Sequence, residues 1–227
     1  MAINECKYLT LEDAASALAN DLVSTLNEAV SLRGKALLAI SGGKTPRKVF
    51  KYLLKQRLNW NNITITLTDE RWLPGNHPES NENLVRSYLL NDLSADATFI
   101  PLYGGKGSLE LDVDSCELKL KNLPLPFDAV YLGIGADGHF ASLFPEDEAL
   151  DVSDSYCVGV AATDSRIARI SLTTSTILNT RKIYLLFSGE EKYSVYQRAK
   201  TPGSFNEIPL RLILSEDNIS IEVYYAL

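Results

Sequence analysis

The chain has 227 residues, 45% of them hydrophobic and 22% charged, enough to bury the core of a single α/β domain spanning residues 1–227. A formal net charge of −7 argues against general affinity for nucleic acid or an anionic membrane, yet a local basic pocket for a phosphate remains compatible with it. Cys6, Cys116 and Cys157 are odd in number and include no CxxC pair, so neither a disulfide framework nor a zinc cluster is encoded, and a reducing compartment is expected.

The amino end, MAINECKYLTLEDAAS, has an early acid and no apolar run of signal length, and no stretch of about 18 apolar residues follows. A cytoplasmic location is the expectation. Leu11, Ala15, Leu18, Leu22, Leu26 and Ala29 recur at the spacing of one buried helix face, capped by Thr10 and ending near Arg33 and Gly34. Ala36 to Ile40 then reads as a strand buried on both faces.

Ser41, Gly42, Gly43, Lys44 and Thr45 lie between that strand and a helix whose expected N-cap is Thr45 and whose first turn holds Pro46. Free N–H groups at a helix start, beside a glycine pair and a hydroxyl, form an anion site for which phosphate is the natural ligand. A capped turn with Lys44, Arg47, Lys48 and Lys51 as a solvated basic face accounts for the same residues. The nucleotide pattern GxxxxGK[ST] fails because Leu38 stands at its first glycine, which excludes an ATPase or kinase loop.

Ile63, Ile65 and Leu67 alternate as in a strand that ends in Asp69, Glu70, Arg71 and Trp72. Arg71 is suited to grip a phosphate or hydroxyls in a bidentate manner, with Asp69 accepting from a sugar hydroxyl or orienting a neighbour. A local ion network is the plainer account. His77 lies in a turn-rich loop and is expected to be exposed. SNENLVRSYLL from Ser80 reads as a capped helix with Leu84, Tyr88 and Leu89 inward, followed by a short strand at Phe99 and Ile100. A second helix spans about Ser108 to Leu123, with Leu111, Cys116, Leu118 and Leu120 expected inward.

The next strand, Ala129 to Leu132, meets Gly133, Gly135 and Gly138, with Asp137 and His139 among them. An acid and an imidazole on a glycine turn at a strand's carboxyl end suggest a site; a plain strand-to-helix turn with a solvated Asp and His accounts for the same residues. The glycines also satisfy GxGxxG, but Pro145 and the acids Glu146, Asp147 and Glu148 interrupt any long helix that a dinucleotide site needs. Strands are expected around Tyr156 to Val160 and Arg166 to Leu172, then a short helix in TTSTILNT. Lys182 to Phe187 is a buried strand that runs into SGEEK, which places Lys192 one turn into the following helix. Ile219 to Tyr225 closes the sheet, after the turn-rich connection TPGSFNEIP at 201–209.

Taken together, SGGKTP at 41–46, TDERWLP with SNENLVRSYLL at 68–90, FDAVYLGIGADGHFASLFP at 127–145, RISLT at 169–173 and SGEEK at 188–192 resemble the 6-phosphogluconolactonases, within the larger glucosamine-6-phosphate isomerase and deaminase-like group. Phe140 replaces the threonine usual in that family, and Lys44 stands where serine is common. The resemblance implies a modified Rossmann-like fold, a mostly parallel sheet flanked by helices. It also implies hydrolysis of 6-phospho-D-glucono-1,5-lactone to 6-phosphogluconate in the pentose phosphate pathway, with no required metal or other cofactor and a small sugar-phosphate lactone as partner.

By the same resemblance His139 matches the general base, with Asp137 beside it. Ser41, Gly42, Gly43 and Thr45 match the phosphate loop; Arg71, Arg169 and Lys192 match basic residues around the substrate, and Arg166 competes with Arg169 for its role. The chemistry is consistent, since a lactone is an activated ester that needs only an oriented water, a base and oxyanion stabilisation. No GxSxG nucleophile is present. Two other functions fit parts of the pattern. An amino-sugar phosphate isomerase or deaminase has a glutamate before proline where this chain has Phe144, which cannot move a proton. A non-catalytic sugar-phosphate sensor would be set apart by a turnover assay.

Overall fold

A computed structural model of the chain describes residues 3–91 and 94–227. Its strands are β1 (Ile3–Tyr8), β2 (Ala36–Ile40), β3 (Ile63–Leu67), β4 (Asp69–Arg71), β5 (Thr98–Ile100), β6 (Ala129–Leu132), β7 (Cys157–Val160), β8 (Arg169–Leu172), β9 (Lys182–Ser188) and β10 (Ser220–Ala226). The α-helices are α1 (Leu11–Arg33), α2 (Pro46–Leu53), α3 (Asn81–Tyr88), α4 (Leu109–Lys121), α5 (Thr174–Leu178), α6 (Glu190–Ala199) and α7 (Leu210–Leu214).

Seven strands pair in the order β1-β10-β9-β6-β2-β3-β5, every neighbour parallel, so the expected α/β sheet is present. Its central strands β2 and β6 are buried along their whole length, as a parallel strand covered on both faces requires. Alternation along β9 and β10 sorts the covering helices. Tyr184 and Tyr224 reach α1, at Thr25 and Asp21, while Phe187 and Tyr225 pack their rings against Tyr196 and Tyr193 of α6.

Local signals explain where the helices begin and end. The hydroxyl of Thr10 accepts from the Asp13 N–H, and Gly34 closes α1 with φ 73°, a left-handed value that costs glycine little. Leu18, Leu22 and Leu26 on its inner face are fully buried, and truncating one to alanine costs about 2 to 5 kcal/mol.

Several expectations need correction. Strand β1 went unread from sequence because its burial alternates weakly at a sheet edge; it pairs with β10 from Ile3↔Ile221 to Tyr8↔Ala226. The second sheet, antiparallel with order β4-β8-β7, was also unforeseen. The strand expected from Arg166 begins at Arg169, because Arg166 is held in a bridge with Thr163. Helix α7, directly after the turn-rich connection, is a further element that the sequence pattern did not signal. Tyr88, expected inward, is 44% exposed, with the Arg47 guanidinium 4.5 Å from its ring centre. Leu111 and Leu118 are 54% and 65% exposed, because α4 instead turns Asp112, Cys116 and Leu120 inward. Thr45 does not cap α2: its own backbone is already helical, at φ −64° and ψ −45°, and its hydroxyl makes no cap bond.

Candidate active site

From β2 the chain moves to β3 on one side of the sheet, while β6, the other neighbour of β2, leads outward toward β9. The loops leaving β2 and β6 therefore diverge at the carboxyl ends of adjacent strands. A crevice opens at such a reversal of strand order. Here it is a cavity of about 190 Å³ that brings together Ser41, Gly42, Gly43, Thr45, Asp69, Arg71, His139, Arg169 and Lys192.

The 41–46 loop is fastened to both neighbours. The Ser41 N–H donates to the Tyr131 carbonyl at 3.0 Å, and the Ser41 hydroxyl lies 2.9 Å from that of Thr68. Gly42 packs so closely on Asn81 that a Cβ there would fall 1.9 Å from its side-chain oxygen. Gly43, at φ 98°, turns the chain into α2.

The turn after β6 is wound tightly around its two functional side chains. The Gly135 N–H donates to the His139 carbonyl at 2.8 Å, and a Cβ on Gly135 would lie 2.1 Å from His139 Nδ1 and 2.4 Å from Asp137 Oδ1. Asp137 Oδ1 is 2.6 Å from His139 Nδ1 and also accepts from the His139 N–H at 3.1 Å. Burial would raise the Asp137 pKa, but the bonds and charge of His139 outweigh it and hold the carboxyl below its usual value. A carboxylate on Nδ1 selects the tautomer whose Nε2 accepts a proton. No helix starts at His139. Phe140 and Leu143 form a bridge there, and Ala141 takes φ 48°. Phe140 is fully buried and outside the cavity, so its replacement of threonine changes packing rather than the lining.

The basic wall comes from the small sheet. Arg71 and Arg169 are register partners on β4 and β8, which places two like charges side by side. Asp69 offsets them: its Oδ2 lies 3.6 Å from Arg169 Nη1 and accepts from the Ser142 hydroxyl at 2.6 Å. Burial lowers the Arg169 pKa, with Arg71 and Arg166 adding to the effect and Asp69 opposing it. Arg71 Nη1 donates to the Glu79 carbonyl. Both arginines keep an enclosed Nε–H with no acceptor in the protein. Guanidinium donors left in that state favour an anionic ligand.

Glu70 fixes this wall from behind. Fully buried, it accepts from the N–H groups of Arg71, Asn81 and Glu82 and from the Ser80 hydroxyl, at 2.7 to 2.9 Å. Burial raises its pKa to about 7 against the pull of those bonds. Arg169 lines the cavity, whereas Arg166 pairs with Asp147, lies 4.2 Å over the Phe144 ring and does not line it. His77 is half-buried, accepts from the Glu79 N–H at 3.2 Å and lies outside the cavity.

Sequence reasoning did not single out Asn81, which lines the cavity and donates from Nδ2 to the Asp69 carbonyl at 2.8 Å. Its only signal was a polar residue just inside the capped start of α3. Lys44, read among a solvated basic face, also lines the cavity. Among the described residues no helix is long and apolar enough to cross a membrane.

Comparison with known proteins places this geometry in context. Residues 10–221 match the model of a family described as glucosamine-6-phosphate isomerases/6-phosphogluconolactonase. The chain is 37% identical over 217 residues to a 6-phosphogluconolactonase of Mesorhizobium japonicum, covering 93% of this chain and 90% of that protein. It is 36% identical over 227 residues to a 6-phosphogluconolactonase of Neisseria meningitidis serogroup A, covering 97% of each. The crystal structure of a 6-phosphogluconolactonase from Shewanella baltica OS155 superposes with a TM-score of 0.95 at 37% identity, covering 100% of this chain and 98% of that one.

Proposed function

The chain belongs to the family of glucosamine-6-phosphate isomerases and 6-phosphogluconolactonases, and from that premise we propose that it hydrolyses 6-phospho-D-glucono-1,5-lactone to 6-phosphogluconate. The observation that carries this reading is one cavity holding an imidazole oriented by a carboxylate, opposed by cations suited to a phosphate.

In the proposed reaction the phosphate lies against the 41–45 loop, whose glycines let the backbone approach, and is held by Arg71 and Lys192. His139 Nε2 takes a proton from water as the water oxygen bonds to the lactone carbonyl carbon. Asp137, kept ionised, stabilises the imidazolium that forms. Cationic groups of the lining offset the negative charge on the carbonyl oxygen. The C–O bond to the ring then breaks, and the imidazolium returns its proton to the departing ring oxygen. One water is consumed and one hydroxy acid is released. Phe144, its ring centre 4.5 Å from that of His139, has no proton to supply, which disfavours isomerase or deaminase chemistry at this position.

The test is a coupled assay with freshly generated 6-phosphogluconolactone, corrected for spontaneous hydrolysis. Acceleration well above background is expected, and its absence would overturn the assignment.

A further inference from the structure

Four basic residues occupy the loop and first turns after β2: Lys44, Arg47, Lys48 and Lys51. Three of them are engaged elsewhere. The Arg47 guanidinium lies 4.5 Å over the ring of Tyr88, and Lys48 and Lys51 hold the two oxygens of Glu12 at 2.6 and 3.0 Å. Among the described residues Lys44 has neither an acidic partner nor a ring contact, and it alone of the four lines the cavity. Sequence position does not separate these residues; their partners in the fold do.

The charge inside the cavity gives this placement meaning. Arg71, Arg169, Lys192 and Lys44 line it together with one carboxylate, Asp69, which is already bonded to Ser142 at 2.6 Å and lies 3.6 Å from Arg169. The arginines are braced by β4 and β8, whereas Lys44 stands exposed on a glycine loop. An exposed ammonium keeps its hydration and rotamer freedom until a strong anion engages it. A sugar hydroxyl gains little from such a group; a phosphate near two negative charges gains a charge-assisted bond.

We propose that Lys44 is a specificity-determining residue that recognises the substrate phosphate from the rim of the cavity, a role that rests on the lactonase reading of the site. It supplements the backbone of the loop and sharpens discrimination between phosphorylated and unphosphorylated lactones.

The experiment compares wild type with Lys44→Ser and Lys44→Arg, and uses Lys48→Ser as a control outside the cavity. For each, kcat/KM is measured on 6-phosphogluconolactone and on unphosphorylated gluconolactone at low and high salt, and 6-phosphogluconate is titrated by calorimetry. Lys44→Ser is expected to lose about tenfold more on the phosphorylated lactone than on the unphosphorylated one. The gap should narrow at high salt, close in Lys44→Arg, and be absent in Lys48→Ser. Equal penalties on the two lactones, or none, would overturn the proposal while leaving the lactonase assignment intact. If wild type fails to accelerate hydrolysis, the lactonase reading falls, and the titration still decides for Lys44. About tenfold weaker binding of 6-phosphogluconate by Lys44→Ser supports phosphate recognition, and unchanged binding refutes it.

Discussion

The turn from Gly133 to Ala141 and the small sheet of β4, β8 and β7 both border the cavity, and they are assembled in opposite ways. In the turn, Asp137 and His139 are two residues apart, and their 2.6 Å contact is made by the local winding of the glycines. In the sheet, Arg71 and Arg169 come from strands almost a hundred residues apart and meet only through β-pairing. The proposed proton-transfer unit is thus a local object, and the proposed anion-binding wall is a tertiary one. Damage to the turn should act on turnover with little effect on the wall, and damage to the wall should weaken phosphate selection while sparing the imidazole.

The sharpest test is His139→Asn. Loss of a positioned base should lower kcat by about 10² to 10⁴ while the melting temperature and affinity for 6-phosphogluconate stay near wild type. A stable, fully active variant would rule out the proposed base.

Gly135→Ala probes the winding of the turn rather than its chemistry. The added Cβ would fall 2.1 Å from His139 Nδ1, so the ring must move. A displacement on that scale should cost about 10² in kcat, with binding of 6-phosphogluconate less affected. Steady-state rates and calorimetry on the same preparation check it; equal losses in turnover and binding would show that the two regions are not separable.

On the wall, Arg71→Ala and Lys192→Ala should each cost about 1.5 to 3 kcal/mol in kcat/KM for the phosphorylated lactone. The unphosphorylated lactone should lose less. Wild-type values in both variants would remove the phosphate assignment.

A smaller effect concerns stability against pH. Asp137 is held below its ordinary range, so the folded state favours its ionised form. Its contribution is present above the unfolded carboxylate value, near about 4, and is lost as pH falls through the lower folded value. The stability gap between wild type and Asp137→Asn should therefore shrink in acid; chemical denaturation across pH 2 to 7 measures it, roughly spanning that window. The smallest expected effect is that of chelation. Among the described residues no group of three or more His, Cys, Asp or Glu is placed to hold a metal ion. Activity should be unchanged by EDTA, and loss that zinc restores would contradict this.

Much of the molecule was determined by local sequence. The spacing in α1 and the continuous apolar runs of β2 and β6 encode burial directly, because a side chain's face follows from the period of its own element. The glycine turn was legible for the same reason, since Gly135, Asp137 and His139 constrain one another within five residues. Tertiary structure decided what depends on partners far along the chain. It paired β1 with β10, folded β4 onto β8, sent Arg166 to Asp147 while leaving Arg169 at the cavity, and gave Lys48 and Lys51 to Glu12 while Lys44 was left lining the cavity. A charged side chain carries no periodic signal that names its partner. Whether it becomes a solvated surface group, half of an ion pair or part of a binding site is settled by which distant strand or helix packs beside it.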